Sequence, residues 1–422
     1  MNNVMNFQIE NIGPINKLNI DIGKINIIGG HNATGKSTAS KLLYCFLKAN
    51  SNNRQDFAYD ALVNSINSIL NRLNNDFRYS RKTKDMDILE LLNEYEDSKA
   101  KYYASPGDNT NKFIDNEIQY IDDSIQDIQE NNNSLYLSIL ENLLQIELST
   151  KNFNGSISIK DASSNDSFNY SANFIDFDLD DDDAYKSKGF LDIYDVFYID
   201  SFSIFDLNRI PSRFKIRNRN YYDHVDYLNL ILKDSEDESK DLFDRKKNSD
   251  IRLVEKKVKE IIDGKIEFNN GKFIFYPNDS GPCDMQSTAS GIKQIGVIQL
   301  LLSNRKLKKD SFLIIDEPEV NLHPEWQFKL AEILTLLVKE LNISIYINTH
   351  SPMFIEAMEV FTEYYDLKDD TFYYLTKMEV DDGENFKYID SDELYELYDN
   401  LAKPYIYLER YRIKTKRQNR KL

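Results

Sequence analysis

Hydrophobic and polar positions change rhythm several times along the chain. Phe7 and Ile9 alternate with polar neighbours, and Leu18, Ile20 and Ile22 repeat the alternation, so residues 4–28 read as short strands. Gly13-Pro14 punctuates them as a turn. Ile25, Ile27 and Ile28 then run into a glycine loop, beyond which Ala39, Leu42, Leu43, Phe46 and Leu47 fall on one helix face. From 50 to 190 the rhythm is different. Polar, Asn-rich joints separate amphipathic helical stretches near 58–78, 86–104, 113–130 and 134–148, and a strand-like piece near 153–175 follows. Residues 194–202 read as a buried strand, and 225–262 as helix with a charged middle.

The last third is the most regular. Lys265–Phe268 and Lys272–Phe275 flank Asn270-Gly271, a dipeptide suited to the primed turn of a hairpin. The stretch 290–302 reads as a helix with Ile292, Ile295, Ile298 and Leu302 inward. Strand 312–315, helix 325–340, strand 343–347 and helix 351–360 alternate in the manner of a βαβ sheet. No internal repeat and no sustained heptad is visible.

Composition narrows the class. With 41% hydrophobic residues in 422, the chain can bury a substantial core. A net charge of −18 excludes a polybasic coat but leaves room for a local basic groove. Two cysteines, Cys45 and Cys283, exclude a disulfide scaffold and a four-cysteine zinc site. Neither a signal peptide nor a run of 18 apolar residues is visible, so a cytoplasmic protein without a membrane span is expected. Aspartates crowd residues 176–183, which reads as a solvated acidic loop.

Four motifs carry chemistry. Residues 30–37, Gly30-His31-Asn32-Ala33-Thr34-Gly35-Lys36-Ser37, form a complete G-x4-G-K-[ST] between a strand and a helix. The glycines let backbone N–H groups turn inward on phosphate oxygens, and the helix adds its positive end. Lys36 would bridge the β- and γ-phosphates, and the Ser37 hydroxyl would ligate Mg²⁺. The apolar strand 312–315 ends in Asp316-Glu317, so that Asp316 would hold the metal and Glu317 would orient or deprotonate the attacking water. Most of the chain separates these motifs, so a lobe must be inserted between them. Ser290-Gly291 opens a buried helix, either as an ordinary cap or as an anion site. His350, in Asn348-Thr349-His350-Ser351-Pro352, follows the next strand and could reach a γ-phosphate or its water.

That order of motifs resembles the ABC-type ATPase clan, and within it the ATPase module of OLD-family (overcoming lysogenization defect) proteins. The resemblance rests on Glu10-Asn11-Ile12-Gly13-Pro14-Ile15, the phosphate loop, Ser290-Gly291, DEPEVNLHPEWQ at 316–327 and the Asn348–Pro352 word. It implies an α/β fold: an ABC-type P-loop ATPase core, a mixed sheet flanked by helices, with a large and mainly helical inserted lobe. The core would comprise 1–49 and 261–360, the lobe 50–260 with a core strand near 194–202, and a C-terminal extension 361–422. Gly30, Asn32, Gly35, Lys36, Ser37 and Thr38 would hold ATP, with Ser37 and Asp316 on Mg²⁺ and with Glu317 and His350 catalytic. Ser290 and Gly291 would contact the γ-phosphate held by a second copy, in a homodimer or a higher even-numbered oligomer, and Asn321–Pro324 would cross the seam. Two departures stand out. Ile292 replaces the second glycine of the signature, and no glutamine loop is identifiable, although Asp200-Ser201 stands where one would be.

OLD nucleases continue into a Toprim domain, for which too little sequence follows His350; Asp381-Asp382 before Gly383 reads as a turn. The four histidines form no His-Asn-His nuclease signature. The combination resembles the ATPase subunits of anti-phage systems such as Septu and PARIS, which implies a separate nuclease or toxin partner. The alternative is a RecF/SMC-like DNA-repair or chromosome-maintenance ATPase that binds DNA in an ATP-dependent way. Arg209, Arg213, Lys215, Arg217 and Arg219 would suit a phosphate backbone or an acidic subunit face. The basic tail 409–422 would suit a partner or be a solubilising frayed end, and the strip Leu401, Tyr405, Tyr407, Leu408 and Tyr411 would dock on a neighbour or simply pack on the core.

Overall fold

The computed structural model describes residues 4–73, 88–104, 112–130, 133–148, 155–161, 167–171, 174–178, 192–200, 202–205, 222–233, 249–377 and 384–419. The acidic run beyond 178, the arginine-rich stretch 209–219 and Asp381-Asp382 lie outside them. Strands β1 (Met5–Ile12) and β2 (Ile15–Ile22) bury alternate positions, as the sequence pattern predicts. β3 (Ile25–Gly29) is buried throughout and leads into α1 (Lys36–Asn50). Helices α2 (Arg54–Leu73), α3 (Ile88–Ala104), α4 (Lys112–Glu130) and α5 (Asn133–Leu148) follow where the amphipathic stretches predict them. Next come β4 (Ser156–Asp161), β5 (Ser167–Ser171), β6 (Phe174–Asp178), β7 (Val196–Ile199), α6 (His224–Lys233) and α7 (Ser249–Ile262).

The C-terminal elements begin with the hairpin of β8 (Gly264–Asn269) and β9 (Lys272–Pro277). Asn270 (φ 50°) and Gly271 (φ 80°) form its primed turn. β10 (Cys283–Asp284), α8 (Ser290–Ser303), β11 (Phe312–Asp316), α9 (Pro324–Leu341), β12 (Ser344–Thr349) and α10 (Pro352–Tyr364) come after it. β13 (Thr371–Thr376), β14 (Phe386–Ile389) and α11 (Tyr395–Asn419) complete the order.

Among the described residues three sheets organise these elements. The core sheet runs β14-β13-β3-β12-β11-β7, parallel except for the edge strand β14. β3, β7 and β11 are buried at every position, which a strand needs only when both sheet faces are covered. Helix α1 supplies one cover: twelve of its residues are buried, from Lys36 to Asn50. An antiparallel sheet β2-β1-β4-β5-β6 and a small one, β10-β9-β8, flank the core.

The order differs from the sequence reading in two places. Strands β4, β5 and β6, which fall within the stretch read as lobe, extend the sheet that β1 and β2 begin, with Phe7 opposite Ile159 and Ile9 opposite Ile157. Among the described residues, α2, α3 and α4 build a separate core around Leu62, Ile66, Ile69, Leu91, Tyr95, Ile118 and Ile121. The boundary at 360 also cuts through the core sheet. β13, whose TFYYLT carries no alternation, pairs with β3 directly, Leu375 beside Gly29.

Two buried charge clusters bind these parts together. Lys48 of α1, fully buried, pairs with Asp195 at the start of β7 and lies 3.9 Å from the Tyr227 ring centre. Tyr227 Oη and Asn53 Nδ2 both donate to Asp195 Oδ2 at 2.9 Å, so the buried carboxylate is well supplied with donors. His224, at the head of α6, is held between Glu147 of α5 (2.6 Å from Nδ1) and Asp200 after β7 (2.8 Å from Nε2). Burial would lower the pKa of this imidazole, but the two carboxylates outweigh it and lift it to about 9.

A folded-state pKa above the free value means that His224 stabilises fully below about pH 6.5 and loses that contribution as pH rises through about 9. The linked stability is on the order of 3 kcal/mol at most. Denaturant titrations between pH 6 and 9.5 should therefore show stability falling with pH in the wild type and a flatter profile in His224→Gln. Parallel profiles would contradict a charged imidazole at this position.

Candidate nucleotide site

The phosphate loop lies between β3 and α1. Gly30 has φ 151°, and a Cβ there would meet Thr376 Oγ1 at 1.8 Å, so only glycine fits beneath β13. Thr34 Oγ1 contacts Thr376 Oγ1 at 2.8 Å and His31 O at 2.9 Å, which pins the loop to that strand. Lys36 curls back over the loop, its Nζ donating to Gly30 O (3.1 Å) and His31 O (2.6 Å). Burial pulls its pKa down to about 8, against the opposing pull of Asp316, Glu317 and Glu319. Ser37 is exposed one residue further on, Thr38 is half-buried beside Gly13, and Asn32 is exposed at the loop tip.

Asp316 ends β11 beside Asn348 of β12, and Asn348 pairs with Ile28 of β3. The parallel register thus carries the acidic pair to the same edge as the phosphate loop. Asp316 is 8% exposed. Its Oδ2 accepts a hydrogen bond from Tyr198 Oη at 3.1 Å, while Oδ1 is buried with no hydrogen-bond partner. A buried carboxylate oxygen left open, with the exposed Ser37 hydroxyl at the same edge, suits a hard cation such as Mg²⁺ that takes oxygen ligands. Among the described residues no cluster of three or more His, Cys, Asp or Glu side chains could hold a metal by itself.

Glu317 adopts φ 52°, a left-handed conformation that costs a non-glycine residue about 1–3 kcal/mol. The strain turns its side chain to His350, with Oε1 3.0 Å from Nε2. Glu319, which the sequence reading did not single out, holds the histidine from behind: His350 N–H donates to its Oε1 at 2.6 Å. Burial raises the Glu319 carboxyl above its ordinary pKa. His31, Asn32, Glu317 and His350 line one open cavity of about 500 Å³.

Ser290 and Gly291 are not in that lining. They open α8, where Ser290 Oγ donates to Asn321 O at 2.7 Å and Gln294 Nε2 to Val320 O at 2.9 Å. Helix start and loop 317–323 thus form one unit. Asn321 (φ 62°) is exposed and Leu322 buried beneath it. Gly291 lies under the Trp326 indole, which a Cβ would meet at 2.3 Å. The residues expected to hold nucleotide therefore fall into two groups. Gly30, Asn32, Gly35, Lys36, Ser37, Thr38, Asp316, Glu317 and His350 share one edge, and Ser290 and Gly291 sit apart with Asn321. Asp200, at the glutamine-loop position, is taken up by His224. Beyond Glu319, the sequence reading missed Tyr198, Ser40 and Thr376. A tyrosine inside the apolar run VFYI was the one signal available for Tyr198, because a buried phenol needs a partner.

The AAA ATPase domain family matches residues 3–355. The chain belongs to that family. Among solved structures, this ATPase is similar to an SMC head bound to the C-winged helix domain of ScpA, at 10% identity, 93% coverage of this chain, 99% of that one and TM-score 0.43. It is also similar to the SMC head domain from Thermotoga maritima, at 10% identity, 92% and 99% coverage and TM-score 0.41. A third similarity is to an SMC head with an extended coiled coil from Pyrococcus furiosus, at 10% identity, 95% and 100% coverage and TM-score 0.41. No curated protein matches the chain. Among the described residues no helix is long and apolar enough to cross a membrane.

Trp326 is the protein's only tryptophan, so its emission reports the packing of α8 on the loop. Gly291→Ala should push the indole aside, shift the emission and lower stability by about 1–3 kcal/mol. An unchanged spectrum and melting point would show the contact to be loose.

Proposed function

We propose that this ATPase hydrolyses ATP in a site shared by two copies and thereby controls a separate nuclease or toxin in bacterial anti-phage defence. The observation that carries the shared site is its one-sidedness. The cavity lined by His31, Asn32, Glu317 and His350 is open, while Ser290 is anchored to Asn321 outside that lining. A second copy placed symmetrically would bring its own Ser290, Gly291 and Asn321 loop over the opening, in an isologous pair. The defence role is supported by the OLD-like words DEPEVNLHPEWQ and Asn348–Pro352, which resemble those of ATPase subunits that work beside a separate effector.

The chemistry is phosphoryl transfer to water by positioning and charge neutralisation. Mg²⁺, held by Ser37 and Asp316, would offset charge on the phosphate oxygens. Lys36 would exchange the Gly30 and His31 carbonyls for those oxygens. Glu317 would take the proton of the attacking water, with His350 fixing its carboxylate and Glu319 fixing the histidine backbone.

Lys36→Ala should weaken ATP binding at least about tenfold. Glu317→Gln should keep ATP binding, accumulate the dimer on light scattering and lose turnover by about 10²–10³-fold. Equal turnover in Glu317→Gln and wild type would overturn the assignment. Ser290→Arg should block turnover yet leave ATP binding by the single chain intact. For the biological role, the purified chain should not cut DNA, and cells carrying it should resist phage only together with the neighbouring effector gene. Resistance from the chain alone would overturn the separate effector, and ATP-dependent DNA binding without any effector would favour the repair or chromosome-maintenance reading.

A further inference from the structure

Tyr198 places a hydroxyl in the middle of the otherwise apolar strand β7, and it is 1% exposed. Its Oη lies 3.1 Å from Asp316 Oδ2 and 3.0 Å from Ser40 Oγ. Asn348 Nδ2 donates to the same Ser40 Oγ at 3.0 Å. Valence sets the proton directions. An amide nitrogen can only donate, so Ser40 accepts from Asn348. A phenol has one proton, and a carboxylate can only accept, so Tyr198 gives that proton to Asp316. Ser40 then donates to the phenol oxygen, a shorter contact than the 3.3 Å to its other acceptor, Ser37 O.

The relay therefore runs one way, from β12 through α1 and β7 to β11, and it ends on Oδ2 alone. Oδ1 of the same carboxylate stays buried with no partner. The Tyr198 ring is fixed by edge contacts with His224 (4.6 Å between centres) and Tyr44 (5.8 Å).

We infer that Tyr198 is the positioning residue that divides the Asp316 carboxylate, binding one oxygen to the protein and leaving the other for the cation that accompanies the nucleotide. The inference rests on the reading of the cavity as a Mg²⁺–ATP site and adds to it a residue outside every motif. Outer-shell donors of this kind hold a ligating carboxylate in one orientation, and their loss lowers metal affinity by about 10–100-fold. Ser40, one turn beyond Ser37, has the lesser role of orienting the phenol.

The test is a Mg²⁺ titration of AMP-PNP binding to the full chain by calorimetry, with AMP-PNP binding in EDTA and thermal melting alongside. Tyr198→Phe should raise the half-saturating Mg²⁺ about tenfold while leaving AMP-PNP binding in EDTA unchanged. Ser40→Ala should raise it about threefold in the same assay. A purely structural role would lower the melting point and leave the Mg²⁺ requirement alone, and a wild-type requirement in Tyr198→Phe overturns the inference. If Tyr198→Phe fails to fold, Ser40→Ala decides: a raised requirement supports the relay and an unchanged one overturns it. A wild-type chain whose AMP-PNP binding ignores Mg²⁺ overturns the site reading itself, and the role of Tyr198 with it.

Discussion

In the core sheet Thr376, Gly29, Thr349, Asp316 and Ile199 end five neighbouring parallel strands. Parallel pairing fixes this alignment through evenly spaced backbone hydrogen bonds, and the burial of both faces forbids a slip. The strand ends fall at stepped but adjoining levels, so Thr376 and the residues that follow the other four strands, Gly30, His350, Glu317 and Asp200, reach a common edge. The chemistry of the site is thus a by-product of register. A one-residue shift of β11 against β12 would turn Asp316 to the wrong face and part it from Asn348. This is the general reason why open parallel sheets gather ligands beyond their carboxyl ends.

The fold spends stability at that edge and recovers it elsewhere. Glu317 sits in strained left-handed backbone, Lys36 is buried above carbonyls, and Asp316 keeps an unpartnered buried oxygen. The compensating interactions are apolar and extensive, running from β3 through α1 to β12. Lys48 with Asp195, and His224 with Glu147 and Asp200, are polar exceptions in that core. Both join helix to strand ends, so they fix orientation more than they add net energy.

Much of this was readable in the sequence because local signals and tertiary demand agreed. The helices after the phosphate loop, the Asn270-Gly271 hairpin and the alternation from β11 to α10 all carried their own periodicity or turn chemistry. Where tertiary contact alone decides, the sequence was silent. β13 has neither alternation nor a flanking motif, and only its place beside β3 makes it a core strand. β4–β6 looked like part of the lobe because nothing local says that Ile157 and Ile159 face β1. Glu317 and His350 could be named from their motif. Glu319, Thr376 and the Tyr198–Ser40 pair act through contacts between residues far apart in the chain, and spacing cannot show such contacts.

The placement of β13 has a further consequence for biosynthesis. The phosphate loop is translated well before its roof: the strand that closes over Gly30 and bonds to Thr34 arrives more than three hundred residues later. A nascent chain therefore emerges from the ribosome with its glycine loop uncovered and its central strand lacking a neighbour, and the most non-local pairing of the core sheet must form last. The cover over the phosphate loop is in this way complete only once the final parallel strand has been made.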